Sequence, residues 1–217
     1  MAKIVFYSSQ TGNRGFIPCI KDQMNVDFDY YFLHDNHPEA MEGKGWNYIN
    51  TFSEFKNYSN SKRQRISKMM PKLFFPNAEY TVYVDSKFYL SREFYKLCLD
   101  IIQEEKPNWM VPPHESRYSF EEELKDAIER KNMPPEEINN IRKEFKGEFI
   151  NTNCCWIIRK NNDVNHLIGK KWFDLTNRFF KNEVRDQLTF SFCVKKLYLN
   201  MNHPLKELEN LSFVEHV

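Results

Sequence analysis

The sequence predicts an α/β protein in which helices flank a central, mostly parallel mixed sheet. Segments rich in β-branched and aromatic residues alternate with segments of helical periodicity from the first residues onward. The 217 residues suffice for one domain with a full hydrophobic core, and no shift in composition divides them. We therefore expect residues 1–217 to form a single domain, alone or within a longer protein.

The predicted strands are short segments of strong β propensity. The first, residues 3–7, is followed at once by the polar run 8–13, as expected where a buried strand ends in a loop. Residues 80–84 are the most strand-like of all, and Asp85 interrupts them. The same composition predicts further strands at residues 28–33, 46–49, 88–90, 109–111, 149–150 and 154–158.

Helical periodicity with capping residues predicts the intervening helices. The first, residues 59–73, begins with Ser and Asn capping residues, ends near Pro71, and carries Arg65 and Lys68. The others are predicted at residues 91–105, 120–131, 134–145, 164–180 and 184–199, followed by an irregular tail.

Charge and cysteine content restrict the function classes. Lys and Arg total 31 against 30 Asp and Glu, so the net charge of +1 gives no electrostatic footprint for nucleic acid. The apolar run at the N-terminus is too short for a signal peptide or a membrane span. The 5 cysteines show no C-x-x-C pair, which favours reduced thiols. We expect a soluble, cytoplasmic protein without a membrane span or a nucleic-acid partner.

Asp85 is the first candidate for a functional side chain. It follows a buried strand, and open α/β sheets bind their ligands at the carboxyl ends of their strands. The residues around it follow the pattern hydrophobic-hydrophobic-Asp-x-polar-hydrophobic. Sugar-nucleotide enzymes place a metal-ligating acid in this pattern beside a diphosphate, and carboxylate oxygen is a suitable hard ligand. The alternative is a purely structural turn residue, because Asp commonly begins turns.

Arg65 and Lys68 are candidates for a diphosphate site. Residues three apart share one helical face, and this helix directly precedes the strand that ends at Asp85. Arg binds phosphate oxygens with its guanidinium fork, and Lys supplies a point charge. A solvated basic face is the alternative.

Asp186 and Gln187 begin the last predicted helix. An Asp in the first turn stabilises the helix dipole and needs no other role. The functional alternative is a general base for an acceptor hydroxyl, or a carboxylate that steadies positive charge at the sugar carbon. Gln187 would hydrogen-bond sugar hydroxyls.

The loop after residues 109–111 carries His114 and Arg117, and loops commonly hold binding residues. An ordinary surface histidine is the alternative. The sequence contains no P-loop, G-x-G-x-x-G, G-x-S-x-G or kinase signature and has only 6 glycines. These observations count against NTPases, Rossmann dehydrogenases and α/β-hydrolases.

Several segments together resemble a family of glycosyltransferase-like proteins with plant and bacterial members and small capsid-glycan transferases of chlorella viruses. The resemblance covers residues 3–198 and rests on the order in which the matching segments occur along the chain. The matching pieces are Ile4-Val5-Phe6-Tyr7-Ser8, Arg65-x-x-Lys68-x-x-Pro71 with Phe75-Pro76, Tyr80-x-Val82-Tyr83-Val84-Asp85, His114 with Arg117 and Glu122, and Arg185-Asp186-Gln187-Leu188-x-Phe190.

The resemblance implies a GT-A like fold and a nucleotide-sugar donor, UDP-linked, often with Mn2+. By family position, Tyr7 and Ser8 would border the uridine. Arg65 and Lys68 would contact the donor phosphates or sugar, and Asp85 the ribose or the metal. The expected acceptor is a glycan or a glycoprotein, and in a viral member the expected location is the host-cell cytoplasm.

The site that the resemblance implies departs from the family pattern at the acid pair. The usual Asp-x-Asp becomes Asp85-Ser86-Lys87, so a cation replaces the second carboxylate in this donor-binding segment. If Mn2+ binds, it would use Asp85, the diphosphate, water and His216 of the tail. Alternatively, Lys87 would neutralise the leaving diphosphate without a metal. In the same implied site, Asp186 would face the transferred sugar.

The sequence therefore predicts a glycosyltransferase that moves a hexose or deoxyhexose from a UDP-sugar. Two alternatives stay open. One is a nucleotide-sugar hydrolase or nucleotidyltransferase, because phosphate-binding parts do not specify the acceptor. The other is a non-catalytic carbohydrate-binding module, an alternative that the absence of the second acid of the Asp-x-Asp pattern favours.

Overall fold

A computed structural model gives the fold. It describes residues 3–12, 29–35, 47–50, 52–88, 90–112, 119–131, 134–144, 152–179 and 186–197. The strands in these ranges are β1 (Ile4–Gln10), β2 (Asp29–His34), β3 (Asn47–Asn50), β4 (Tyr80–Val84), β5 (Trp109–Met110) and β6 (Trp156–Lys160). The helices are α1 (Asn60–Met69), α2 (Arg92–Glu104), α3 (Phe120–Lys131), α4 (Pro135–Glu144), α5 (Asp163–Phe179) and α6 (Asp186–Leu197). The strand predicted at residues 149–150 and the predicted tail lie outside the described residues.

The six strands form one mixed sheet in the order β3-β2-β1-β4-β6-β5. The first four run parallel, whereas β6 is antiparallel to both β4 and β5. The predicted α/β fold with a mostly parallel mixed sheet is confirmed, and it is consistent with a GT-A like architecture. Because the chain passes from β1 outward to β2 and β3 and returns to β4 on the other side, the strand order reverses between β1 and β4. Such a reversal opens a ligand crevice at the carboxyl ends of the strands.

Helices cover both faces of the sheet. Side chains alternate along β1, so Val5 and Tyr7 pack in one core while Ile4 and Phe6 pack in the other. The first core includes apolar residues of α1, α5 and α6, and the second includes those of α2. A third, smaller core joins α3 and α4 to α5 and α6. None of the helices within the described ranges is long and apolar enough to cross a membrane.

β1 is longer than its apolar segment. The prediction that a loop begins at Ser8 is wrong, because Ser8, Ser9 and Gln10 continue the parallel pairing with β2. All three side chains are buried. Backbone pairing in the middle of a sheet therefore outweighs the polarity of these side chains, and it places hydroxyl groups at the carboxyl end of β1.

Two other predicted boundaries shift for local reasons. α1 ends at Met69, four residues before the predicted end, and Pro71 starts a short 3₁₀ helix, as proline disrupts an α-helix. The chain turns directly after β4, at residues 86–87, and the Phe88 N–H donates to Asp85 O at 3.1 Å. Of the strand predicted at residues 88–90, Phe88 and Leu90 form isolated bridges, and residue 89 lies outside the described residues. The turn places Asp85 at the very end of β4.

We expect Gly169→Ala to destabilise the protein, because α5 and α1 touch at this glycine. A Cβ at position 169 would lie 1.9 Å from the carbonyl oxygen of Met69. Forcing extra volume into such a contact costs about 1–3 kcal/mol. Urea unfolding measures this cost, and Leu167→Ala on the exposed face of the same helix is the control. Equal stability of the two variants would contradict this close helix contact.

Candidate active site

Four charged side chains meet beside the carboxyl end of β4. The Lys68 Nζ of α1 lies 2.7 Å from Asp186 Oδ2 and 3.4 Å from Asp85 Oδ1. Arg65 Nη2, one turn earlier on the same helix, lies 3.5 Å from Asp186 Oδ1. We call Arg65, Lys68, Asp85 and Asp186 the charge cluster. The structure thus brings together four residues that the sequence suggested separately for a donor site.

Three members of the charge cluster, Arg65, Lys68 and Asp186, remain ionised. Burial alone would lower the pKa of Lys68, but the charges of Asp186 and then Asp85 outweigh it and raise that pKa above its ordinary value. Burial alone would raise the pKa of Asp186, yet the cations Arg65 and Lys68 hold it below its ordinary value. Lys68 is only 2% exposed, so its ammonium depends on these two acids for compensation.

Asp85 is held by its backbone and by its side chain. Its N–H donates to Cys155 O at 2.7 Å, which fixes the end of β4 against the segment that enters β6. The Tyr83 hydroxyl donates to Asp85 Oδ1 at 2.8 Å. Burial, and next the Asp85 charge, raises the pKa of Tyr83 well above its ordinary value, so the phenol stays protonated. The Asp85 side chain is still 23% exposed, which leaves it open to a ligand.

Asp186 is the first residue of α6, so its position also suits the helix dipole. Its carbonyl accepts hydrogen bonds from Trp172 Nε1 at 2.9 Å and from Thr189 Oγ1 at 3.1 Å. The neighbouring Gln187 donates its amide to Thr152 O at 3.2 Å. The start of α6 is therefore firmly anchored, and from there the Asp186 carboxylate contacts Lys68. Its functional interpretation stays a prediction.

Arg159 is a site-supporting residue that sequence reasoning missed. Its guanidinium donates to Lys68 O at 2.7 Å and to Met69 O at 2.8 Å, which satisfies carbonyls at the end of α1. It also lies over the Trp109 ring, 4.3 Å from the ring centre. Little in the sequence signals this role, because Arg159 directly follows the predicted strand 154–158, beside Lys160, and arginine is ordinarily exposed.

The two residues expected to border a uridine differ in their surroundings. The Tyr7 hydroxyl donates to Ser67 O at 3.0 Å and accepts from Arg159 Nη2 at 3.4 Å. Tyr7 therefore fastens β1 to α1. Ser8 Oγ is buried and has no hydrogen-bond partner within the ranges that the structure describes.

The turn after Asp85 carries the remaining residues of the predicted donor-binding segment. Ser86 is half-buried, and Lys87 is exposed, with its Nζ 4.8 Å from the centre of the Phe88 ring. The described residues contain no group of three or more His, Cys, Asp or Glu side chains that could hold a metal ion. His114, Arg117 and His216 lie outside the described residues.

One protein-family model matches the chain, over residues 34–215, and it describes the TOD1/MUCI70 glycosyltransferase-like domain. The chain belongs to this family. The match covers most of the sequence and includes every residue of the charge cluster, whereas β1 precedes it. No curated protein matches the chain significantly.

Membership of the glycosyltransferase-like family confirms the resemblance at the level of the family and supports a glycosyltransferase function in general. The charge cluster gives this glycosyltransferase-like domain two basic and two acidic side chains where α1, the end of β4 and the start of α6 converge. Such a set suits recognition of a charged, hydroxyl-rich ligand, because carboxylates accept hydrogen bonds from hydroxyls and guanidinium groups bind phosphate oxygens.

We expect Lys68→Met to destabilise this glycosyltransferase-like domain strongly. The substitution would leave the buried Asp186 carboxylate with Arg65 at 3.5 Å as its nearest described cation. Removing one partner of a buried ion pair costs about 3–5 kcal/mol. Chemical denaturation measures the loss, and Lys170→Met is the matched control, because Lys170 pairs with Asp174 on the exposed face of α5. A Lys68 variant as stable as the control would show that the cluster contributes nothing to the fold.

Proposed function

We propose that this protein is a glycosyltransferase that transfers a hexose or deoxyhexose from a UDP-sugar to a glycan or glycoprotein acceptor, with UDP as the leaving group. The observation that supports it most directly is the charge cluster at the end of β4, in a chain of the glycosyltransferase-like family. Asp85 lies beside the reversal of strand order, where open α/β sheets bind their ligands.

The donor end of the proposed site is built around Asp85. Its partly exposed carboxylate would accept hydrogen bonds from the ribose hydroxyls. Arg65, 21% exposed, and the exposed Lys87 would stabilise the negative charge that develops on the departing diphosphate. Lys68 would add its charge from inside the protein while it holds Asp85 and Asp186 in place.

The uridine would lie at the carboxyl end of β1. The buried Ser8 hydroxyl, which has no partner within the described residues, supports a ligand contact at this end of the strand. Tyr7 would act by keeping β1 against α1, because its hydroxyl is already engaged by Ser67 and Arg159.

Asp186 would face the transferred sugar. Its pKa is held below the ordinary carboxyl value by Arg65 and Lys68, against the effect of burial. A general base works best when its pKa lies near the working pH, so the lowered pKa argues against that role. We therefore propose that Asp186 stabilises positive charge at the anomeric carbon, with Gln187 beside it for the sugar hydroxyls.

Dependence on Mn2+ stays a prediction from the family resemblance, and the cytoplasmic location stays a prediction from the sequence.

A screen of UDP-sugars with and without Mn2+ tests the proposed function. It measures released UDP and glycosylated acceptor. Formation of a glycosylated acceptor identifies a glycosyltransferase. UDP release without a glycosylated acceptor would instead identify a hydrolase. If no UDP-sugar released UDP, both the glycosyltransferase and the hydrolase hypotheses would be contradicted.

We expect Asp85→Ala to abolish stabilisation by UDP while the protein still folds, because Lys68 keeps Asp186 as a partner at 2.7 Å. A ligand at 100 times its Kd stabilises a protein by about 2.7 kcal/mol. Thermal unfolding with and without UDP measures the difference. Asp100→Ala, on the exposed face of α2, should retain the full shift. An unchanged shift in the Asp85 variant would refute its role in donor binding.

We expect Asp186→Asn to retain UDP binding but to lower the rate of transfer. The amide keeps the shape of the side chain and removes the charge proposed to act on the sugar. Loss of electrostatic stabilisation of a transition state typically costs about 100-fold or more in kcat. Steady-state kinetics and UDP titration separate the two effects. If UDP binding fell as far as in Asp85→Ala, the division of roles between the two acids would be wrong.

A further inference from the structure

We infer that Tyr83 is a positioning residue of the donor site, whose hydroxyl fixes one carboxylate oxygen of Asp85 and so presents the other oxygen to the donor. The inference rests on the proposed function, since the donor is the ligand that Asp85 would meet. Tyr83 and Asp85 stand two residues apart at the end of β4, so their side chains project from the same face of the sheet.

The Asp85 carboxylate is engaged on one side. The Tyr83 hydroxyl donates to Oδ1 at 2.8 Å, and the Lys68 ammonium lies 3.4 Å from the same oxygen. Among the described residues both contacts fall on Oδ1, which leaves Oδ2 as the oxygen for a ligand, and the side chain is partly exposed. A carboxylate held in this way has little rotational freedom left to lose when a ligand binds.

Tyr83 itself has no freedom to leave this position. Its side chain is fully buried, and its ring packs edge-on against Tyr7 with 5.3 Å between ring centres. The Lys68 ammonium lies 5.2 Å from the centre of the Tyr83 ring. The same ammonium thus contacts the tyrosine ring and the carboxylate that the tyrosine holds. Because Tyr83 is buried, it acts through Asp85 and does not touch the donor.

Tyr83→Phe tests the inference, because it keeps the ring and its contacts and removes only the hydroxyl. We expect the Kd for UDP and the KM for the donor to rise about 3- to 10-fold, as for the loss of one hydrogen bond. We expect kcat to change less than about twofold, since Asp186 and the acceptor side are untouched. Tyr80→Phe is the matched control, because Tyr80 lies on the same strand in the core of the opposite face. It should leave all three values unchanged.

A double-mutant cycle of Tyr83→Phe, Asp85→Ala and the double variant, measured by thermal unfolding, tests the contact between Tyr83 and Asp85 without any nucleotide. Non-additive changes in Tm support the hold of Tyr83 on Asp85, and additive changes overturn it. If the unaltered protein binds UDP and Tyr83→Phe binds it equally well, the inference fails while the proposed function stands. If the unaltered protein binds no UDP, the proposed function fails, and the unfolding cycle alone decides whether Tyr83 positions Asp85.

Discussion

The candidate site depends on one buried ammonium group, that of Lys68. A lone buried charge is too costly to persist, so Lys68 requires carboxylates beside it. It obtains them from two distant parts of the chain, the end of β4 and the start of α6. The ion pairs therefore do more than hold a site together. They tie the last described helix to the centre of the sheet and fix the relative position of the two acids.

The position of Lys68 is in turn set by contacts along α1. Arg159 engages the carbonyls of Lys68 and Met69, the last two residues of the helix. Gly169 lets α5 approach the same Met69 carbonyl, and Tyr7 binds the carbonyl of Ser67. Three successive carbonyls thus accept hydrogen bonds from two strand residues, Tyr7 of β1 and Arg159 of β6, while α5 packs closely against the last of them. A helix end fixed in this way presents its charged side chain with little freedom, which is what an electrostatic site requires.

Local patterns were enough to predict most of the fold. Apolar runs and capping residues gave the strands and helices, and Ser59 and Ser91 do cap α1 and α2. The continuation of β1 through Ser8 could not be predicted, because it depends on pairing with β2 and not on side-chain polarity. For the same reason, the antiparallel direction of β6 is a property of the assembled sheet that its short apolar segment does not reveal.

The candidate site shows the same division between local and long-range information. The order of Arg65, Lys68, Asp85 and Asp186 along the chain sufficed to suggest a donor site. Their mutual pairing required the structure, since 101 positions separate the two acids in the numbering of the chain, from 85 to 186. The support from Arg159 was hidden for a further reason, because it contacts carbonyl groups, which every residue carries and no sequence pattern marks.

The charge balance of the site is relevant to position 87, where a lysine replaces the second acid of the implied Asp-x-Asp pattern. Arg65 and Lys68 carry two positive charges, and Asp85 and Asp186 carry two negative ones, so the charge cluster is formally neutral. The cluster as a whole therefore has no net positive charge, because the two acids balance the charges that Arg65 and Lys68 would offer a diphosphate. In the proposed reaction, the leaving UDP needs a cation near its phosphates, and position 87 supplies a lysine where the resemblance implies a second acid. An acid at this position would add negative charge beside the phosphates unless it recruited a metal ion, whereas Lys87 brings positive charge itself.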